Sequence, residues 1–296
     1  MVAFPVVLAC VYAFVLGAVT GSFLNVCIHR LPRGFLLHKP PSHCPFCNEP
    51  IRWYDNVPIV SYLVLGRRCR FCGIRISPRY ALVEGLTGLL FAYVTWQLVS
   101  GPGQVEYARL GVYVALTMAL VAASFVDIEF RIIPDEISIP GMLLAPVVSL
   151  VWPHLHNLRE PFIVEPLTRL LRIAPETYPW ACGLLASLIG MGVGAGVIWA
   201  LGVVGRAIFH KEAMGFGDVK LMAFVGGILG WRLALLGIVL GAFIGAILGL
   251  LMLLRTRDTR IPFGPYLSLG SFIAMLHAGD IGRLYEGLVA SLHAGP

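Results

Sequence analysis

Gly215-Phe216-Gly217-Asp218-Val219-Lys220-Leu221-Met222-Ala223-Phe224-Val225 sets one carboxylate just behind two glycines and just ahead of an apolar run. Glycines permit a bend or a close backbone approach, so a bulky ligand could reach the acid there. An ionisable group at the edge of a bilayer is costly, which makes it a candidate for function. Taken alone, the Gly-x-Gly-Asp pattern is a weak signal that helix packing next to an ordinary juxtamembrane charge could also account for.

Working outward, residues 233–254 form an uninterrupted apolar stretch on one side, and the glycine-rich residues 180–204 form another on the other side. The whole chain follows suit. Of its 296 residues 58% are hydrophobic and only 13% charged, where a soluble domain carries about a quarter charged residues. The expected fold is therefore an all-α polytopic membrane protein with about eight transmembrane helices. The spans are expected near 4–27, 82–99, 110–126, 137–151, 180–204, a short segment ending near 229, then 233–254 and 261–276. No basic segment precedes the first apolar run, so residues 1–28 read as a retained first helix, not a cleaved signal. Residues 29–80 read as a loop domain, 81–278 as the membrane core and 279–296 as a C-terminal tail.

Charge orients the chain. Residues 29–80 hold nine arginines and lysines against Glu49 and Asp55, a balance of +7. The positive-inside rule makes that loop cytoplasmic and brings both Asp127 and Asp218 to the cytoplasmic edge. The formal net charge of +6 is thus a topology signal, and nucleic acid is not an expected partner. Short connections around 101–103, an interfacial stretch within 154–179, and basic edges at Lys211 and Arg257 complete the reading. Gly190, Gly192, Gly194 and Gly196 give two overlapping small-x-x-x-small spacings suited to close helix contact. No linear repeat is legible.

Cysteine use separates into two groups. Cys10, Cys27 and Cys182 lie in apolar runs and read as small buried residues. Cys44-Pro45-Phe46-Cys47 and Cys69-Arg70-Phe71-Cys72 form two C-x-x-C knuckles in the polar loop, a spacing that four thiolates use to hold one tetrahedral zinc ion. Four cysteines fill the coordination sphere, so the expected role is structural, making a small loop domain fold. Unmetallated thiol pairs or a redox switch are the competing readings.

Asp127 follows Ala122-Ala123-Ser124-Phe125-Val126 at an edge that converges with that of Asp218. If the helices pack, the two carboxylates could share a proton and activate water for peptide hydrolysis. Asp127 could instead cap its outgoing turn or pair with Arg131. Asp135 reads as a helix cap, Glu129 as a further acid of the same turn, and Glu84 as a holder of the loop domain or a partner for an arginine.

With these segments in view, the sequence resembles the bacterial type IV prepilin leader peptidases, also called prepilin peptidase/N-methyltransferases, which are intramembrane aspartic proteases of the GxGD type. The likeness runs through Gly21-Ser22-Phe23-Leu24-Asn25-Val26, Arg30-Leu31-Pro32, both knuckles, Asp55-Asn56-Val57-Pro58, Ser77 to Glu84, Val126-Asp127 to Asp135, Gly215 to Lys220, and Pro262-Phe263-Gly264-Pro265. The resemblance implies cleavage of the basic leader from type IV prepilins or pseudopilins by Asp127 and Asp218, in the bacterial inner membrane. It also implies N-methylation of the new terminus with S-adenosylmethionine as methyl donor, because the chain keeps the cysteine-bearing loop of the bifunctional branch. The donor site is not legible, and Asn25, Arg30 and Glu84 are candidates by position only. Implied partners are the pilin substrate and membrane lipid. A peptidase without methyltransferase activity, an ion-coupled transporter and a structural export component are the alternatives.

Overall fold

The computed structural model describes residues 3–39, 41–100, 106–156, 176–210, 214–256 and 262–293. The connection at 101–103, the interfacial stretch at 157–175, Lys211 with Glu212, and the basic edge from Arg257 to Arg260 lie outside the described residues. Among those described, the chain is helical with no named strand: α1 Ala3–Arg30, α2 Val60–Val64, α3 Pro78–Val99, α4 Tyr107–Phe130, α5 Asp135–Val151, α6 Pro179–Phe209, α7 Phe216–Leu229, α8 Trp231–Thr256 and α9 Gly264–His293. Five of these, α1, α3, α4, α6 and α8, are long and apolar enough to cross a membrane. Helix α5 has 17 residues and α7 only 14. At 1.5 Å per residue α7 spans about 21 Å, less than a hydrocarbon core of about 30 Å. Helix α9 continues to His293, well beyond residue 276 where the last span is expected to end.

The chain separates into two compact units, Met1–Val126 and Asp127–Pro296. In the first, α1 packs along α3. A Cβ on Gly17 would lie 2.8 Å from Gly88 Cα, and one on Gly21 would lie 2.7 Å from Glu84 Cα. One turn further on, Asn25 Nδ2 donates to the Tyr80 carbonyl at 3.1 Å. Positions 17, 21 and 25 of α1 thus meet 88, 84 and 80 of α3 in an antiparallel seam, where glycine lets the backbones touch.

In the second unit α7 is the hub, packed by α5, α6, α8 and α9. Every residue from Leu221 to Leu229 is buried. A helix that is apolar all round can be enclosed in a bundle or face lipid, and here glycines make the enclosed fit possible. A Cβ on Gly190 of α6 would overlap the Gly226 carbonyl, a Cβ on Gly226 would overlap that of Gly190, and Gly194 abuts the Met222 carbonyl. Gly192 and Gly196 meet nothing, so one of the two overlapping glycine spacings makes the contact.

Candidate active site and metal centre

Asp127 sits in the last turn of α4 and Asp218 in the first turn of α7. Both are buried, 7% and 8% exposed, and they lie within Coulombic reach of each other. Three elements bring them together. Asp127 Oδ2 accepts the Gly264 N–H, at the start of α9, at 2.9 Å. Ile133, in the turn after α4, lies between the two acids' neighbours: a Cβ on Gly217 would be 3.0 Å from Ile133 Cβ, and one on Gly264 3.3 Å from its Cδ1. Lys220 Nζ binds Asp135 Oδ1 at 2.7 Å, tying the first turn of α7 to the first turn of α5.

The carboxylate of Asp127 is engaged by Gly264 and lies within Coulombic reach of Arg131, while its carbonyl accepts the Arg131 N–H at 2.8 Å. Helix α5 is capped by Pro134 without a side-chain bond, and Asp135 binds Lys220 instead. Of the two glycines in the Gly-x-Gly-Asp stretch, Gly217 serves close approach, meeting Ile133 directly, while Gly215, at φ −77, has only ordinary contacts. Gly264 is the residue whose part the sequence did not disclose. Its segment was recognisable, but nothing in it says that its amide points at an acid 137 residues away.

The cysteine arm of the first unit brings Cys44, Cys47, Cys69 and Cys72 together, all four sulfurs lying within 4.8 Å of one another. Cys44 and Cys72 Sγ are 3.8 Å apart, Cys47 and Cys69 Sγ 4.0 Å. A zinc ion with bonds of about 2.3 Å to four tetrahedral sulfurs sets them about 3.8 Å apart. The four thiols therefore fit a zinc ion. Backbone N–H groups of Cys72 and Phe71 also point at Cys69 Sγ and pull its thiol down to about 7.

Each knuckle is built alike. Cys44 N–H bonds the Glu49 carbonyl and Cys69 N–H that of Ile74; Asn48 bonds back to Cys44 and Gly73 to Cys69; Ile51 bonds Ser42 and Ile76 bonds Arg67. Asn48 and Gly73 both take positive φ, 56° and 69°. The same three bonds recur 25 positions later, a repeat in the backbone that the side chains outside the cysteines conceal. Asp55 locks the arm across the knuckles, accepting Arg70 Nε at 2.8 Å and Nη2 at 2.6 Å. Of the other cysteines, Cys27 and Cys182 are buried and Cys10 is half-buried.

Glu84 holds the arm to α3. Its Oε2 accepts the Ile59 N–H at 2.8 Å, and it also bonds Ser22. Ile59 needs that support, because φ 62 and ψ −49 form a tight γ-turn closed by Val60 N–H on the Pro58 carbonyl at 2.6 Å. Such a conformation is strained for a β-branched residue. Beside it, a cavity of about 570 Å³ is lined by Ser22, Phe23, Arg30, His38 and Asn56 among others. Arg30 Nη1 donates to the Leu36 and Leu37 carbonyls and folds the loop over its rim.

Fold and site together define a polytopic helical membrane protein with two buried acids at helix ends and a four-cysteine arm between its first two long helices. Residues 15–98 match the bacterial peptidase A24 N-terminal domain, and residues 114–250 match the type IV leader peptidase family. The chain is 33% identical to the prepilin leader peptidase/N-methyltransferase of Stutzerimonas stutzeri, over 92% of each chain. It is 34% identical to that of Pseudomonas aeruginosa over 91% of each, and 37% identical to that of Myxococcus xanthus over 83% of this chain and 64% of the other. The chain belongs to the type IV leader peptidase family. No solved structure matches it.

Proposed function

We propose that this protein is a prepilin leader peptidase that cleaves the basic leader from type IV prepilins or pseudopilins and N-methylates the exposed terminus. The observation that carries the peptidase half is the burial of Asp127 and Asp218 in one unit, within Coulombic reach, with one oxygen of Asp127 already held by the Gly264 amide. Two carboxylates in dry surroundings cannot both ionise freely and tend to share one proton. The ionised member takes a proton from water, whose oxygen attacks the scissile carbonyl carbon. The protonated member donates to the carbonyl oxygen and then, as the C–N bond breaks, a proton reaches the leaving amine. The division of the two roles between Asp127 and Asp218 is left unassigned. The Gly264 bond fixes Asp127 in orientation, and a correctly oriented reacting group lowers the barrier.

The inner membrane is the location this reading requires, with the arm and both acids on the cytoplasmic side, a sidedness supported by the +7 charge of residues 29–80. Zinc would be held by Cys44, Cys47, Cys69 and Cys72 and would supply folding stability to the arm. S-adenosylmethionine would be the methyl donor. The cavity of the first unit, lined by Ser22, Phe23, Arg30, His38 and Asn56 among others, is the candidate place for it, with no contact assigned to any one residue.

Co-expression with a pilin precursor tests the reading. Asp127→Asn and Asp218→Asn should each lower processing by at least about 10³-fold while membrane levels of the protein stay normal. Processing that persists in either variant rejects the acid pair. Intact mass of the product tests the second activity, a cleaved but unmethylated terminus rejecting it.

A further inference from the structure

Helix α2, Val60–Val64, presents an apolar face that no other part of the described chain covers. Val60 is 54% exposed, Leu63 63% and Val64 76%. These positions fall at i, i+3 and i+4, one side of a helix. The face is not at the far tip of the arm. Ile59, the residue before α2, is bonded to Glu84, six residues into α3, and six residues at 1.5 Å each are about 9 Å of helix. On α1 the same level is marked by Gly21 against Glu84 Cα, nine residues, about 13 Å, before the helix ends at Arg30. Since α1 and α3 are both long and apolar enough to cross a membrane, the start of α2 is pinned inside the length of a crossing pair.

The backbone agrees with that depth. In hydrocarbon every N–H needs a partner within the protein. Val57 N–H bonds Ser61 Oγ at 3.0 Å, Ile59 N–H bonds Glu84, Leu65 N–H bonds the Ser61 carbonyl at 2.9 Å and Arg67 N–H bonds that of Tyr62 at 2.9 Å. A segment with its amides satisfied internally and its apolar side chains facing outward meets what lipid requires. Directly after it, Gly66 and Arg67 turn the chain at positive φ, 59° and 64°, and deliver Arg67-Arg68.

We propose that α2 is an interfacial anchor, with Val60, Leu63 and Val64 among the lipid acyl chains and Arg67 and Arg68 at the anionic headgroup phosphates above them. The anchor sets the height of the cysteine arm on the membrane. It is independent of which reaction the acids perform.

The test uses the full-length protein in nanodiscs of phosphatidylethanolamine and phosphatidylglycerol, with a fluorescent noncanonical residue in place of Leu63 or, separately, Val64. Phe243, 66% exposed on α8, carries the lipid-facing reference reporter. Brominated acyl chains are expected to quench both α2 reporters to at least about half the extent seen at Phe243, with iodide in the buffer quenching them little. Strong iodide quenching without bromolipid quenching places α2 in water and overturns the proposal. Insensitivity to both quenchers means that protein, including a second copy of this chain, covers the face, and overturns it as well. Bromolipid quenching that disappears when a pilin precursor is added makes the face a substrate groove, not an anchor, with the same consequence.

Discussion

The Gly264 amide donates to Asp127 Oδ2 at 2.9 Å, so the first residue of α9 orients an acid at the last turn of α4. A Cβ on Gly264 would lie 2.7 Å from that oxygen and 3.2 Å from the carboxyl carbon. Gly264→Ala must therefore displace the acid. Displacement of a reacting group by an ångström costs about 10²-fold in rate, and a loss of at least that size is expected in a time course of precursor processing. Gly215→Ala is the contrast, since its Cβ would sit 3.6 Å from Asp218 Oδ2, an ordinary contact, and it should stay within a few-fold of the parent, about a factor of three.

The α6–α7 seam gives a stability test that avoids the acids. Alanine at Gly190 or Gly226 drives a methyl group into the partner's carbonyl. Overpacking of this kind costs about 1–3 kcal/mol. Gly192→Ala, two residues away with nothing within reach, should change stability by about 0.5 kcal/mol or less. Thermal unfolding of the detergent-purified protein separates the two outcomes, and equal midpoints for Gly190→Ala and Gly192→Ala would contradict the seam.

Metal content checks the cysteine arm. The purified protein is expected to hold about one zinc ion per chain, measured by plasma mass spectrometry. Cys47→Ser and Cys72→Ser should each abolish it and render the arm sensitive to protease. Cys10→Ser, at a half-buried helix position away from the cluster, should leave the metal in place.

Acid should loosen the arm through Asp55. Arg70 holds the Asp55 carboxyl below its usual range by a paired hydrogen bond and by its charge. A folded-state value below the unfolded one means that the ion pair contributes fully above the ordinary carboxylate value and is lost as pH falls through the lowered one. In Arg70→Gln that contribution is absent at every pH, so hydrogen exchange in the arm should be faster than in the parent at neutral pH, and the gap should close as pH falls through the lowered value. Loss of zinc in acid is common to both proteins and leaves that comparison intact. Equal exchange at neutral pH would show that the pair does not support the arm.

How much of this was readable beforehand differs by feature. The cysteine pairs were legible because zinc chemistry demands a short fixed spacing, whereas the 25-residue repeat was not, because it lives in backbone bonds that tolerate Asn48 in one copy and Gly73 in the other. Glu84 was legible as unusual and ambiguous in role. Only its contact with Ile59, whose strained turn no propensity suggests, shows that it holds the arm.

By itself the sequence determined that the chain crosses a membrane repeatedly, which loop is basic, where four thiols gather, and that Asp127 and Asp218 stand at the ends of apolar runs. Those are one-dimensional properties, set by the length of an apolar stretch and the identity of the residues that interrupt it. Tertiary structure alone decided which side of each helix is buried. Helix α7 is enclosed over Leu221–Leu229 while α8 leaves Val239 and Phe243 exposed, yet both read as equally apolar. In lipid a packed face and an exposed face are made of the same side chains, so no hydrophobic contrast marks the contact. The choice of Gly190 over Gly192, and the turn that aims Gly264 at Asp127, follow from backbone shape in three dimensions.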